Sequence, residues 1–103
     1  MRQFEVHPNP AARSRASFPY VVVLRSHLLA ASHATIVAPM LPQDGRSAFT
    51  EISVTVRFRD SDHIVLVGEM APLDTRLLTR AIGDLGDYEY EFRRALDRLF
   101  TGF

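Results

Sequence analysis

The sequence predicts a mainly β protein closed by one C-terminal α-helix, and three observations carry that expectation. Residues 52–59 alternate strictly, with Ile52, Val54, Val56 and Phe58 on one side and Ser53, Thr55, Arg57 and Arg59 on the other, which is the period of a half-buried strand. Residues 20–24 form a continuous run of Tyr20, Val21, Val22, Val23 and Leu24, as expected of a strand covered on both faces. Near the end, Tyr88, Phe92, Ala95, Leu96, Leu99 and Phe100 recur on one stripe when the chain is wound at about 100° per residue.

Taken in order, Phe4 and Val6 alternate with Gln3 and Glu5 to make a short first strand that ends at Pro8. Residues 8–17 are expected to be loop: Pro8, Asn9, Pro10, Arg13, Ser14 and Arg15 supply turn formers and mobile charge, with almost nothing to bury. After the strand at 20–24, residues 26–31 are too few for a stable helix of their own and too apolar for a bare loop. Leu28 and Leu29 are therefore candidates for contact with a partner, or plugs for the end of the core. Residues 36–41 read as a third strand, in which Pro39 implies an edge position or a bend, because proline donates nothing to a ladder. Residues 42–47, with Gly45, are a loop.

The alternating strand at 52–59 is expected to turn at Asp60, Ser61 and Asp62 into a return strand at 64–67, stopping at Gly68, so the pair forms a hairpin. Residues 70–85 conflict internally. Leu73, Leu77, Leu78, Ala81, Ile82 and Leu85 keep helical spacing behind an Asp74 cap, whereas Pro72 and Gly83 interrupt it. The final helix is better defined, with Gly86 or Asp87 as its cap, Glu89 and Glu91 early, and Arg93, Arg94 and Arg98 late, all favourable to the helix dipole. Glu89 and Arg93 add an i,i+4 pair, and Tyr90, Arg94, Asp97 and Thr101 fall opposite the apolar stripe.

Composition narrows the function classes. At 103 residues and 47% hydrophobic content the chain fits one globular domain, whose modest core makes a second copy a natural source of further burial. Twelve arginines and no lysines balance twelve acidic residues, so no excess positive field is available to collect a nucleic-acid backbone. The absence of cysteine excludes disulfides and thiolate metal sites, and fits a reducing compartment. No apolar leader and no run near ~18 apolar residues is present, so a cytoplasmic protein without membrane contact is expected.

Motifs for chemistry are sparse. The chain has no glycine-rich phosphate loop, zinc-protease helix, nucleophile elbow or calcium loop, and no metal or cofactor is expected. The four histidines, His7, His27, His33 and His63, are scattered without ligand spacing. Arg57, Arg59, Asp60, Asp62 and His63 make the most reactive-looking cluster. It is either a solvated turn or a set able to move a proton and neutralise a phosphodiester in cleavage.

Several of these segments, in order and spacing, resemble the CcdB family of toxin–antitoxin toxins. They are the opening Gln3-Phe4-Glu5-Val6, the strand Ile36-Val37-Ala38-Pro39, Met70-Ala71, Asp84-Leu85, and the ending Ala95-Leu96-Asp97-Arg98-Leu99-Phe100-Thr101-Gly102-Phe103. The resemblance spans nearly the whole chain and implies a single domain over residues 1–103, a small antiparallel SH3-like β-barrel of the CcdB, MazF and Kid toxin type, and a homodimer. It also implies an extended path at residues 71–78. Members of that family are not enzymes: they grip the A subunit of DNA gyrase, trap the cleaved DNA complex, bind no nucleic acid directly, and are neutralised by a CcdA-like antitoxin. The implied gyrase contacts are Phe4, Leu28, Leu29, Asp97, Thr101, Gly102 and Phe103. At two of these the chain departs from the family, with Thr101 in place of a tryptophan and Asp97 in place of an asparagine. Those departures imply weaker gyrase poisoning or a shifted target. Two alternatives stand beside this reading: an endoribonuclease like the related MazF toxins, using Asp60, Asp62 and His63, and a non-toxic dimer that only binds an antitoxin.

Overall fold

The β-branched run that begins at Tyr20 lies at the centre of the sheet in the computed structural model, which describes residues 2–29, 32–43 and 52–101. Its strands are β1 (Glu5–Pro8), β2 (Tyr20–Leu29), β3 (Ser32–Pro42), β4 (Ser53–Phe58), β5 (Ser61–Leu66), β6 (Ala71–Asp74) and β7 (Gly83–Asp84), followed by helix α1 (Glu89–Thr101). Every pairing is antiparallel, in the order β4-β5-β3-β2-β1-β7, with β6 added on β3. The result is a mainly antiparallel sheet curled into a half-barrel and closed by the C-terminal helix. The main core gathers Val6, Val22, Met40, Val56, Val65 and Phe92 between them.

β2 is covered on both faces. Val22 and Leu24 enter the main core, while Val21 and Val23 join Val37 on the other side of the sheet under Leu73 and Leu78. The strand also continues past the expected boundary. After a register shift between Val23 and Arg25, pairing with β3 runs out to Leu28 opposite His33 and Leu29 opposite Ser32, so residues 26–29 are strand. Pro39 does not mark an edge, because β3 is paired on both flanks. Here β3 pairs with β2 on one flank, and on the other it exchanges β6, opposite residues 34–37, for β5, opposite residues 40–42. Proline falls in the interval between those two partners, where a missing N–H leaves no ladder bond unmade.

The expected hairpin is present with a tighter turn. Arg59 and Asp60 form it alone, at φ 52° and 62°, and Phe58 pairs directly with Ser61. Positive φ at both central residues is the mark of a type I′ turn, whose twist matches that of the strands it joins. Ser61 and Asp62 belong to β5.

The helical spacing at 70–85 does not make an α-helix. The segment runs as β6, a short 3-10 turn at Thr75–Leu77, and β7. Its apolar residues serve two separate clusters: Leu73 and Leu78 pack on Val21, Val23 and Val37, whereas Ile82 and Leu85 join the main core. Leu77 faces solvent. The extended path implied by the family resemblance therefore holds for residues 71–74. Asp74 caps the 3-10 turn, accepting from the Arg76 main chain at 3.0 Å and from its guanidinium at 2.8 Å. That side-chain hydrogen bond, with the Coulombic attraction, raises the guanidinium further above its ordinary value.

The segment between β1 and β2 is the expected loop, and one buried amide ties it together. Asn9 Nδ2 donates to Ser14 Oγ at 2.9 Å and to the Phe18 carbonyl at 2.8 Å, and its Oδ1 accepts from Ala11 N at 3.0 Å. Arg15 Nε closes the loop onto the Asn9 carbonyl at 2.9 Å.

α1 is preceded by a 3-10 turn at Gly86–Tyr88 that contains both expected cap residues; the turn's N-cap is Leu85, which makes no side-chain cap bond, and Asp84 Oδ1 accepts from Gly86 N at 2.6 Å. The helix buries Phe92 and Ala95, half-buries Leu96 and Leu99, and carries the Glu89–Arg93 pair at 2.8 Å. Phe100, expected on the buried stripe, is instead 72% exposed. No helix among the described residues is long and apolar enough to cross a membrane.

Candidate functional site at the end of the C-terminal helix

The last turns of α1 stand over the point where the chain enters β1 and where β2 shifts register. Gln3 ties these together by donating from Nε2 to the Leu24 carbonyl at 2.9 Å. Between them lies a groove of about 400 Å³ walled by Leu24, Ile36, Met70, Leu96 and Phe100, with Gln3 and Arg25 at its rim. Its walls are apolar because Leu24 belongs to the main core and Ile36, Met70 and Leu96 pack against it, and an exposed aromatic beside such a groove is the usual signature of a contact surface.

The residues implied by the family resemblance occupy different depths. Asp97 and Thr101 lie exposed one turn apart on α1, and the Thr101 hydroxyl donates to the Asp97 carbonyl at 2.5 Å, so it is engaged within the helix. Phe4 is buried rather than presented at the surface, 3% exposed, its ring stacked on Phe92 with centroids 5.0 Å apart. It supports the helix from beneath. Leu28 and Leu29 have their main chain at the outer end of β2. Gly102 and Phe103 lie outside the described residues. The structure thus brings Phe4, Asp97 and Thr101 to one helix, on opposite sides of it. Phe100 and the groove beside it were not anticipated as a surface, because a helical wheel has no information about where a sheet stops covering it.

The cluster around the β4–β5 turn does not assemble for acid–base work. Arg57 pairs across the strands with Asp62 at 3.2 Å and also bonds the Asp60 carbonyl at 3.1 Å, all exposed to solvent. His63 points the other way, as adjacent strand residues must. It is 5% exposed, edge-on to Phe58 at 5.5 Å and tilted against Tyr20 at 5.8 Å, with Nδ1 donating to the Ser61 carbonyl at 3.1 Å. His7 is buried elsewhere, its Nδ1 donating to the Thr79 carbonyl at 2.7 Å and its Nε2 3.4 Å from Glu5 Oε1 without a hydrogen bond. No three His, Asp or Glu side chains among the described residues come together as a metal site.

No curated protein matches the chain. A family model described as CcdB protein matches residues 3–102 of the 103-residue chain. On that match the chain belongs to the CcdB family, the toxins of toxin–antitoxin modules.

Proposed function

We propose that this chain poisons DNA gyrase by binding the A subunit of that enzyme and trapping the cleaved gyrase–DNA complex. It acts as a cytoplasmic bacterial homodimer without catalysis of its own and is neutralised by a CcdA-like antitoxin, in the service of plasmid maintenance. The family match over residues 3–102 carries this reading. The exposed terminal turn of α1 supports it, because Asp97, Phe100 and Thr101 face solvent at the end of a helix that borders an apolar groove. The proposed contact set is Phe4, through its support of the helix, with Leu28, Leu29, Asp97, Thr101, Gly102 and Phe103. An RNA-cleaving role has no comparable support, since Asp62 and His63 face opposite sides of β5.

Thr101 sets the strength of the grip. A large aromatic at an interface centre is commonly worth about 2 kcal/mol or more, on the order of thirtyfold in affinity. A threonine whose hydroxyl is already bonded to Asp97 replaces neither its area nor its reach. Asp97 adds an acceptor-only anion that repels an acidic partner and suits a basic one. This geometry favours a second reading as well, a dimer that keeps antitoxin binding and traps gyrase weakly.

A supercoiled-DNA cleavage assay with purified gyrase separates the two. We expect micromolar wild-type protein to trap some cleaved complex, and Thr101→Trp to lower the concentration required by about tenfold or more. Trapping by neither protein would remove gyrase as the target. Trapping by Thr101→Trp alone, with normal growth of sensitive cells at high wild-type expression, would establish the second reading.

A further inference from the structure

Leu24 and Arg25 are consecutive on β2, yet both line the groove beside the end of α1. Regular alternation would send them to opposite faces of the sheet. The register shift between Val23 and Arg25 is what brings them together, setting Arg25 opposite Ile36, which lines the same groove. A bulge of this kind adds one residue to a strand and re-aims the side chain that follows. Leu24 is buried in the main core, whereas Arg25 is exposed at the rim. Two contacts hold the bulge from the side of β1: the Leu24 carbonyl accepts from Gln3 Nε2 at 2.9 Å, and the Val23 carbonyl accepts from Phe4 N at 2.6 Å. The main chain beside Arg25 is thus fixed while its guanidinium is left unengaged, with no ion pair and no side-chain hydrogen bond among the described residues. Among the described residues that line the groove, it is the one formal charge.

We propose that Arg25 determines specificity at this groove by pairing with a carboxylate of the gyrase A subunit, beside an apolar side chain of that partner that fills the groove. The inference rests on the gyrase reading above and adds to it a residue outside the contact set given there. Twelve acidic and twelve basic side chains leave the chain no net charge, so a charged partner is selected by placed charges rather than by long-range attraction. The planar guanidinium fork fits a carboxylate through two parallel bonds. Apolar walls around such a pair keep water from it and strengthen it, and arginine beside a filled apolar pocket is a recurrent anchor of protein interfaces. A DNA phosphate would suit the same fork, but the groove presents this one cation, whereas binding along a nucleic-acid backbone draws on several.

Binding of the full chain to purified gyrase A subunit without DNA, measured by isothermal titration calorimetry at two salt concentrations, tests it. Arg25→Ala should weaken binding by about tenfold and Arg25→Glu by about a hundredfold, with Arg25→Lys closer to alanine than to the wild type. Higher salt should narrow the gap between wild type and Arg25→Ala, as it does when the group removed is a charge at a rim. Because Arg25 is exposed, the thermal midpoint and the self-association of all three variants should match the wild type. Equal binding by Arg25→Glu and the wild type would overturn the proposal and leave the gyrase reading intact. So would an effect of Arg25→Glu seen only with cleaved DNA present, which would assign the cation to a phosphate. A loss of self-association in that variant would overturn it too, by assigning the cation to a second copy. Failure of the wild-type protein to bind gyrase A even at high micromolar concentration would remove the gyrase reading, and this inference with it.

Discussion

At Phe4 the backbone sits at φ 69°, a left-handed conformation that costs an ordinary L-residue about 1–2 kcal/mol. Three contacts hold it there: its N–H on the Val23 carbonyl at 2.6 Å, its carbonyl under Leu85 N at 2.8 Å, and the stack on Phe92. Two substitutions separate strain from packing. Phe4→Ala should lose about 3–5 kcal/mol, as buried aromatics do, whereas Phe4→Gly loses the same ring but relieves the backbone. We expect glycine to be the more stable of the two by about 1 kcal/mol, the reverse of the usual order. Urea unfolding of both variants decides it, and an alanine variant above the glycine one would show that the conformation is not strained. Position four was legible in the sequence as an apolar strand residue and as a family contact, but its depth was not. Burial depends on Phe92, which approaches it from the far end of the chain. The separation of Asp62 from His63 was legible in principle, since the period-2 rule that identified the hairpin also assigns neighbours to opposite faces.

Elements were readable where one face of a segment meets one core. The β4–β5 hairpin and α1 follow their periodicities almost to the residue, and the doubly covered run in β2 emerges with both faces buried. Residues 70–85 misled because Leu73 and Leu78 belong to one cluster and Ile82 and Leu85 to another. Their spacing imitates a helix that would have only a single face to bury. The loop after β1 was readable as a loop, and it is one, but what holds it was not legible. Its order comes from hydrogen bonds of Asn9, 6% exposed, and not from hydrophobic burial, which is what patterning detects. Asn9→Ala should release it. Three side-chain bonds at about 1 kcal/mol each are lost, so trypsin should cut after Arg13 and Arg15 well before the rest of the chain is digested. An unchanged digestion pattern would mean that Arg15 and the local main-chain bonds suffice.

For the molecule as a whole, a large exposed aromatic and an apolar groove remain beside α1 when one copy of the chain is considered alone. The homodimer proposed above would bury further apolar surface elsewhere on the chain, and association of that kind makes thermal stability depend on concentration. Raising the protein concentration a hundredfold should raise the melting temperature, while sedimentation should give twice the mass of an 11.6 kDa chain. A concentration-independent midpoint with a monomer mass would exclude the dimer. The contact between Phe4 and Phe92 bears on time rather than on strength. The entry to β1 is bonded to Leu85 and stacked on α1, so the first strand, though paired early with β2, lacks its second neighbour β7 and its lid until the chain as far as Leu96 has been made. A ribosome therefore carries an incomplete core until α1 has been made, and the order of synthesis delays closure of the sheet until its last described element emerges.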